Sequence, residues 1–543
     1  MSRHRRREGR GAVQRSLTRR ALLRNAAVGT ALLAGGRVTR SAAAITPVTA
    51  PESAYIPRPN PTQYTIGIAA APVNPDGAQL VNGVLLNGTL PGPEIRVREG
   101  DMLRILVDNR LADSPTSIHW HGLLVPAAMD GVPDVSNAPI APGRTYVYEY
   151  PIRQSGTYWY HSHYDFQEQL GCYGAFVIEP AHEPLVTEHD AVILLGDWLH
   201  RSPEEVYKEL RGGQPMGAGM KMGAAPGGAT PTVSGKAMEG MPAGGGMTMR
   251  GTPAAAPAAA GKGMGAGPPA GGGMKMGGGA DLSDVKYDAF LLNGRGPENP
   301  WTIAVRPGER VRLRVVNGGG STYFRVRCDE HPLQITHADG LAVEPTTVDH
   351  FLIGMGEVYD AVVTMKATGS YTLHAVAQDG SGQALGVLHT PDATPRPNRA
   401  MPSFAGRALS YADLRAPAPT TLPDGPVRTF RLPLSGDMAR YIWMIGGQVW
   451  PNADPLLIRQ GDRVQIEMAN ESGMWHPMHL HGHFFRVLQG AGEFCPLKHS
   501  VNVPPQETVR IEFTADNPGS WFFHCHNTYH LEAGMARKFE YIA

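Results

Sequence analysis

Apolar and polar residues alternate in short segments along the chain, and three of these segments resemble one another. Each starts with a turn that contains glycine, continues as an alternating strand and ends at an asparagine, and they cover residues 99–109, 307–317 and 460–470. A second block, rich in aromatic and β-branched residues, follows at 156–163, 369–376 and 519–526. About sixty residues separate the two blocks in every copy. The chain therefore repeats one structural unit three times.

The composition of these units predicts β-sandwich domains. Short segments rich in Val, Ile, Tyr and Phe are separated by Gly and Pro turns, and hardly any segment has the apolar periodicity of a helix. A chain of 543 residues is long enough for three such domains. We expect them at residues 55–180, 185–400 and 405–543. The second block of the middle copy contains a single histidine, His374, which we interpret as a packed side chain.

The middle unit contains a low-complexity insertion at about residues 211–280. It consists mostly of Gly, Ala, Pro and Met, with too few branched or aromatic residues to offset the entropy of ordering it, so we expect disorder. Ten of the 22 methionines of the chain lie in this insertion. Because thioethers are soft ligands that select Cu(I), one hypothesis is that the segment collects cuprous ions. The alternative is a linker without a binding role.

Histidines occur as four His-X-His pairs, two in the first predicted domain and two in the third. The 21 histidines of the chain would form about one such pair by chance. This clustering predicts metal binding rather than structural histidines that bond to the backbone. If the first and third domains pack together, eight imidazoles meet, which suits three copper ions with open positions. The pairs are His119/His121, His161/His163, His479/His481 and His524/His526.

Cys525 lies between the two histidines of the last pair. Side chains of a strand point alternately to opposite faces, so Cys525 faces one way while His524 and His526 face the other. One strand can therefore join two metal sites. A thiolate, imidazoles and a weak thioether ligand form a blue copper site. The further ligands expected on the Cys525 side are His476, His530 and Met535.

These motifs resemble those of the three-domain multicopper oxidases, the superfamily of laccase and ascorbate oxidase. The resemblance rests on residues 119–122, 161–163, 476–482 and the Cys525 segment at 521–535. It is strongest to the bacterial copper-resistance oxidases, because of residues 129–133, residues 443–447 and the Met-rich insertion. The resemblance implies an all-β fold of three consecutive cupredoxin-like Greek key β-sandwiches.

The resemblance also implies four copper ions and their ligands. Electrons from a reductant oxidised at the type 1 copper would pass through Cys525 to His524 and His526, and O2 would be reduced to water. The type 1 ligands are His476, Cys525, His530 and the axial Met535. The type 2 ligands are His119 and His479, and the two type 3 ions are held by His121, His161 and His526 and by His163, His481 and His524.

Oxygen reduction consumes protons, so a carboxylate is expected near the cluster. Asp130 follows the first histidine pair at a position where similar oxidases carry an acid; the alternative is a simple turn aspartate. Glu532 is a weaker candidate. Some relatives have an acid directly after the last ligand histidine, whereas here Leu531 occupies that position.

The first 44 residues resemble a twin-arginine export signal, with Arg19 and Arg20 before an apolar run that is too short to span a bilayer. We therefore expect a periplasmic or extracellular protein without a membrane span. The 49 basic and 49 acidic residues balance, so nothing suggests nucleic acid as a partner. Of the four cysteines one is assigned to copper, and Cys172, Cys328 and Cys495 could form at most one disulfide, whose pairing the sequence leaves open.

Several functions agree with these features. The first is an oxidase that converts Cu(I) to Cu(II) in copper tolerance and also acts on phenols. Alternatives are a laccase that acts mainly on phenolic substrates, and a copper-sequestering protein in which the Met-rich segment is the main binding element. A copper nitrite reductase agrees less well, because such proteins lack the His-Cys-His arrangement at residues 524–526. Complete ligand sets in all four motifs favour an oxidase.

Overall fold

The computed structural model describes residues 62–212 and 282–543. The predicted export signal at 1–44, residues 55–61 of the predicted first domain and nearly all of the Met-rich insertion lie outside the described residues. The described residues form three successive β-sandwiches, so the predicted all-β fold class is confirmed. Within these residues, no helix has the length and apolar character needed to cross a membrane.

The first sandwich consists of two four-stranded sheets with the strand orders β2-β1-β4-β6 and β3-β8-β7-β5. Ile105 and Tyr148 from one sheet pack against Trp120 and Phe176 from the other in a fully buried core. The strands are β1 (Thr62–Val73), β2 (Val81–Leu86), β3 (Gly92–Arg98), β4 (Met102–Asn109), β5 (His119–His121), β6 (Thr145–Pro151), β7 (Gly156–His161) and β8 (Tyr173–Glu179).

The second sandwich has sheets of order β10-β9-β12-β17-β14-β15 and β11-β19-β18-β13-β16. Helix α1 (Pro203–Leu210) follows β9, and Ser202 caps it by accepting a hydrogen bond from the Glu205 amide. The strands are β9 (His189–Trp198), β10 (Ala289–Leu292), β11 (Trp301–Ala304), β12 (Arg310–Asn317), β13 (Phe324–Cys328), β14 (Leu333–Ala338), β15 (Leu341–Val348), β16 (Phe351–Ile353), β17 (Val358–Thr364), β18 (Ser370–Ala377) and β19 (Gln383–His389).

The third sandwich has sheets of order β20-β24-β29-β26-β27 and β23-β31-β30-β25-β28, with a β21-β22 hairpin beside them. Helix α2 (Thr528–Glu532) follows β30. The strands are β20 (Val427–Arg431), β21 (Leu434–Asp437), β22 (Ile442–Ile445), β23 (Leu456–Ile458), β24 (Arg463–Ala469), β25 (His476–Leu480), β26 (Phe485–Val487), β27 (Leu497–Lys498), β28 (Ser500–Val503), β29 (Thr508–Thr514), β30 (Ser520–Cys525) and β31 (Ala536–Tyr541).

The sequence repeat corresponds to one central strand in each sandwich. Strands β4, β12 and β24 each pair in parallel with the first strand of their sandwich and antiparallel with a later strand. The asparagine that ends each repeat is buried, and its amide group donates to the carbonyl oxygens of loops that follow. Asn109 donates to Ile140 O at 2.8 Å, and Asn317 and Asn470 make equivalent bonds. The asparagine therefore links the end of the central strand to later segments of its sandwich.

A buried ion cluster joins the second and third sandwiches. Lys498 Nζ lies 3.0 Å from Asp339 Oδ1 and 3.2 Å from Glu357 Oε1, and all three side chains are fully buried. Burial alone would lower the pKa of Lys498, but the two carboxylates raise it above its ordinary value. The Lys498 ammonium also lies 4.7 Å from the centre of the Tyr359 ring. Lys498 is therefore held charged between the two domains.

The remaining cysteines form no disulfide. Cys172, Cys328 and Cys495 are each buried and unpaired, as is Cys525. The disulfide that the sequence left open is thus not formed in this structure.

Replacing Lys498 by Met should lower the free energy of unfolding by about 3–5 kcal/mol, because Asp339 and Glu357 would remain buried without their cation. Calorimetric unfolding of the full chain measures this as a lower Tm. Arg399→Met is the matched control. It removes an exposed cation that pairs with Glu298 and should cost less than about 1 kcal/mol. Equal losses of unfolding free energy in the two variants would contradict the stabilising role of the Lys498 ion cluster.

Candidate metal centres

The four histidine pairs lie on, or directly at the ends of, strands that are neighbours within two sheets. In the first sandwich, β5 pairs with β7 so that His119 is opposite His161. In the third, β25 pairs with β30 so that His479 is opposite His524 and Met478 is opposite Cys525. Each sheet therefore presents two histidine pairs side by side, and the two sets meet in the interior between the first and third sandwiches.

The contacts of β30 differ on its two faces. The Cys525 Sγ lies 3.7 Å from His476 Nδ1 and 3.6 Å from His530 Nδ1. On the opposite face, His524 Nε2 lies 3.1 Å from His481 Nε2 and 3.4 Å from His163 Nε2. The alternation expected from the sequence thus separates a mononuclear group on one face from a histidine cluster on the other.

Ligand atoms in the histidine cluster approach one another closely enough for several ions. The structure brings together four groups of three histidines, and within each group the ligand atoms lie within 4.8 Å of one another. Two of these groups match the trios that the family resemblance gives for the type 3 ions, and a third contains both predicted type 2 ligands. The groups are His119/His479/His481, His121/His161/His526, His163/His481/His524 and His121/His479/His499.

The state of these imidazoles suits metal binding. Among the described residues, His119, His161 and His479 each have a buried Nε2 atom that lacks a hydrogen-bond partner. Their Nδ1 atoms face protein oxygens, as in His119 to Asp130 O at 2.8 Å and His479 to His499 O at 2.8 Å. Burial, reinforced by neighbouring histidines, lowers the pKa of His161 and of His479 well below the ordinary value. Neutral rings with one nitrogen fixed and the other free are the form that metal ions bind.

The mononuclear group consists of His476, Cys525 and His530, all fully buried. Met535 is also buried, and its carbonyl accepts a hydrogen bond from the Cys525 amide at 3.0 Å. Burial raises the pKa of the Cys525 thiol, so the thiolate requires a bound cation. The Trp443 ring packs 4.1 Å from that of His530. A thiolate, two imidazoles and a nearby thioether fit copper.

A carboxylate of the second sandwich reaches this group, and sequence reasoning missed it. His530 Nε2 lies 3.2 Å from Asp284 Oδ2, which also accepts a short hydrogen bond from the Tyr441 hydroxyl. Asp284 is nearly fully buried, at 2% side-chain exposure. Although burial by itself raises its pKa, these donors keep the Asp284 pKa below the ordinary value. The motif analysis gave no signal for Asp284 because it comes from another domain.

The candidate acid Asp130 lies inside the cluster. Its Oδ2 accepts a hydrogen bond from His481 Nδ1 at 2.9 Å, and its Oδ1 is 3.3 Å from His119 Nδ1. Asp130 is fully buried, and the turn that contains it places Gly131 at a positive φ of 85°, against the backbone of Ile118. Asp130 is thus bonded to two histidines that belong to one metal-ligand group.

A second acid, which sequence reasoning also missed, contacts the cluster from another side. Glu168 Oε2 lies 2.6 Å from His161 Nδ1, and burial raises the pKa of Glu168 to about 7. It lines a small cavity together with His163, His526 and Glu532. Burial also raises the pKa of Glu532 to about 8. Both acids can therefore hold or release a proton near neutral pH, and the only sequence signal for Glu168 is its place shortly after the second pair.

The second sandwich also shapes the cluster through a glycine. Gly356 lies between β16 and β17 with a φ of 79°. A Cβ at this position would lie 2.9 Å from His121 Nε2 and 2.8 Å from His526 Cδ2. Only glycine provides both this backbone conformation and this close approach.

Comparison with known proteins agrees with this geometry. Models of the multicopper oxidase family match residues 68–183, 272–393 and 426–542. The copper resistance protein A homolog of Pseudomonas syringae pv. tomato is 32% identical, over 88% of this chain and 92% of that protein. Multicopper oxidase MmcO of Mycobacterium tuberculosis is 33% identical, over 86% of this chain and 84% of that protein.

Solved structures agree on the fold. The structure of the multicopper oxidase Fet3p superposes with a TM-score of 0.70 at 20% identity, covering 89% of this chain and 90% of that one. A multi-copper oxidase from Pseudomonas thermotolerans superposes with a TM-score of 0.61 at 22% identity, covering 89% and 100%. The family predicted from the sequence motifs is confirmed: the chain belongs to the multicopper oxidases and is an oxidoreductase.

Proposed function

We propose that this multicopper oxidase couples the one-electron oxidation of Cu(I), and also of phenols, to the reduction of O2 to water, and that it serves copper tolerance. The choice of Cu(I) as the substrate rests on the position of the residues that flank the Met-rich segment. Before it, Tyr207 of α1 donates from its hydroxyl to Glu532 O at 2.9 Å, beside His530. After it, Asp284 bonds to His530 itself. The described residues that flank a segment with ten methionines on either side, Tyr207 and Asp284, therefore adjoin the mononuclear group.

The proposed copper ligands follow the groups described above. Bound copper supplies one-electron redox chemistry at the mononuclear position and oxygen reduction at the cluster. We assign the type 1 ion to His476, Cys525, His530 and Met535, and the type 2 ion to His119 and His479. We assign the two type 3 ions to His121, His161 and His526 and to His163, His481 and His524, which makes four ions.

The chain itself provides the electron route and the proton groups. Cys525 is bonded through the backbone to His524 and to His526, so one short covalent path links the two faces of β30. Asp130, bonded to His481, and Glu168, paired with His161, place carboxyl groups next to the histidine cluster. These two acids occupy different sides of the cluster. We therefore propose both as proton donors for oxygen reduction.

Copper sequestration is a weaker account of the same residues. Storage requires ligands but gains nothing from a strand that links a thiolate site to a histidine cluster. A mainly phenolic substrate is the nearer alternative, and a laccase of Botryotinia fuckeliana is 28% identical over 88% of this chain and 81% of that protein. The name of the relative from Pseudomonas syringae supports a role in copper resistance. We further propose export by the twin-arginine signal to the periplasm or the exterior.

Changing Cys525 to Ser should abolish both the blue colour and the oxygen uptake of the copper-loaded protein, because a hydroxyl does not replace the thiolate ligand. The fold should survive, since the two side chains have nearly the same shape. Visible absorption and an oxygen electrode measure the two losses. Cys495→Ser removes another buried thiol and should leave both unchanged. Turnover that persists in Cys525→Ser would refute the proposed mechanism.

Removing the methionines of the insertion should lower the turnover of Cu(I) far more than that of a phenol. Two variants separate the thioethers from the length of the segment: deletion of residues 211–280, and a full-length chain in which the ten methionines are replaced by Leu. Both should lose Cu(I) turnover, because Leu keeps the size of Met but not its soft sulfur. Oxygen uptake with each substrate is the measurement. Equal losses for the two substrates, or no loss, would refute the collecting role.

Changing Asp284 to Asn should raise the reduction potential of the type 1 copper by on the order of 50 mV, because a negative charge beside His530 favours the oxidised ion. A spectroscopic redox titration of the blue band measures the potential. Asp288→Asn is the matched control in the same segment, since its carboxylate is 40% exposed and pairs with His200. A potential that is unchanged in Asp284→Asn would show that this carboxylate does not act on the copper.

A further inference from the structure

His499 is a ninth buried histidine at the cluster, and the family resemblance gives it no role. Its ligand nitrogen lies within 4.8 Å of those of His121 and His479. The rings of His121 and His479 are stacked at 3.7 Å, and the His499 ring is edge-on to both, at 4.8 and 5.5 Å between ring centres. Its Nε2 is buried and has no hydrogen-bond partner among the described residues. Three imidazoles with unpaired nitrogens therefore converge here.

The other side of the His499 ring is supported in the way that metal-binding histidines are. Its Nδ1 lies 3.2 Å from Ser500 Oγ and 3.6 Å from Asp339 Oδ2. Asp339 is itself fixed, because Oδ2 accepts the amides of His499 and Ser500 at 3.1 and 2.9 Å and Oδ1 pairs with Lys498. A hydrogen bond at one ring nitrogen orients the other toward a metal, and here Ser500 Oγ makes that bond. Burial lowers the pKa of His499 to about 4, so the ring is neutral.

The fold makes room for this ring at a specific place. Gly122, directly after the first histidine pair, has a φ of 82°, and a Cβ there would lie 2.4 Å from both Cδ2 and Nε2 of His499. Any larger residue would push the ring away from His121. The position is also supported from behind by Phe484, whose ring centre is 5.6 Å away. His499 is thus held against the cluster rather than merely filling space.

We propose that His121, His479 and His499 together bind one Cu(I) ion while the histidine cluster is incompletely filled. Because His121 and His479 are assigned to different ions of the complete cluster, this site and the complete cluster exclude each other. On passing to the type 2 position the ion keeps His479, releases His121 and His499 and binds His119, and no electron moves. The three-imidazole site is therefore an intermediate binding site for copper that enters the cluster.

The geometry requires only a small adjustment. At metal–nitrogen distances of about 2.0 Å, the three ligands of a trigonal ion are roughly 3.5 Å apart, so the rings would close by about 1 Å from the separation seen here. The other four candidate ligand groups lie within the same 4.8 Å limit. The backbone carbonyl of His499 holds His479 Nδ1, and it remains in any side-chain variant. Side-chain substitution therefore tests the ligand role of His499 separately.

The test measures Cu(I) binding without turnover. The background is a full-length chain with Cys525→Ser and Leu at the ten insertion methionines, so that neither the mononuclear site nor the thioethers compete. Metal-free protein receives one equivalent of Cu(I) without oxygen, against a chromogenic Cu(I) chelator. His499→Gln should weaken binding of this first ion by at least about tenfold, while excess copper still gives three ions per chain. His483→Gln, a buried histidine outside every ligand group, should bind as the background does.

Two results would overturn the proposal. One is equal affinity for the first ion in His499→Gln and the background, which would show that His499 is no ligand. The other is a final content below three ions in His499→Gln, which would show that the complete cluster needs His499. A further measurement needs no His499 variant: X-ray absorption of the background protein, in which His499 is unchanged, with one equivalent of Cu(I). The spectrum should show three nitrogen ligands. Two nitrogen ligands would refute the site, whatever reductant the enzyme oxidises.

Discussion

Several imidazole nitrogens are buried between the first and third sandwiches and have no hydrogen-bond partner among the described residues. The arrangement of the molecule follows from that constraint. A buried polar atom without a partner costs about 1–3 kcal/mol. His119, His161 and His479 each contribute such an atom. Protonation cannot relieve the cost, because burial and mutual repulsion keep the rings of His161 and His479 neutral. A bound metal ion is what these nitrogens fit, so metal binding and the stability of the interface are coupled.

The second sandwich contributes no ligand pair, yet the cluster depends on it. Gly356 allows the backbone of the second sandwich to approach His121 and His526. Asp339 accepts a hydrogen bond from the amide of His499, whose carbonyl oxygen lies 2.8 Å from His479 Nδ1. Lys498 reaches back from the third sandwich and pairs with Asp339. Loss of any of these contacts would change the positions of ligands that lie in other domains. The middle domain is therefore a structural support for the cluster.

Sequence reasoning reached the fold class, the family and the residues that meet in the cluster, because each was encoded locally. The repeat around Asn109 recurs as a continuous pattern, and alternation along β30 separates Cys525 from its neighbours. Asp284 and His499 were missed because each contacts a histidine far away in the sequence, and only tertiary packing brings the two together. Glu168 follows His161 closely in the sequence, but only the folded structure shows that its carboxylate pairs with that ring. His499 in particular has no histidine at i ± 2 and lies outside the four motifs that were read from the sequence.

The function also requires that β30 keep its register. A slip of one residue would turn Cys525 toward the histidine cluster and His524 and His526 toward the mononuclear group. Strand β30 is central in its sheet, and it is paired on one side so that His479 is opposite His524, and on the other so that Ala536 is opposite His524. A slip would therefore have to break two ladders at once. The same pairing that builds the third sandwich fixes which face of the strand carries the mononuclear group and which face carries the histidine cluster.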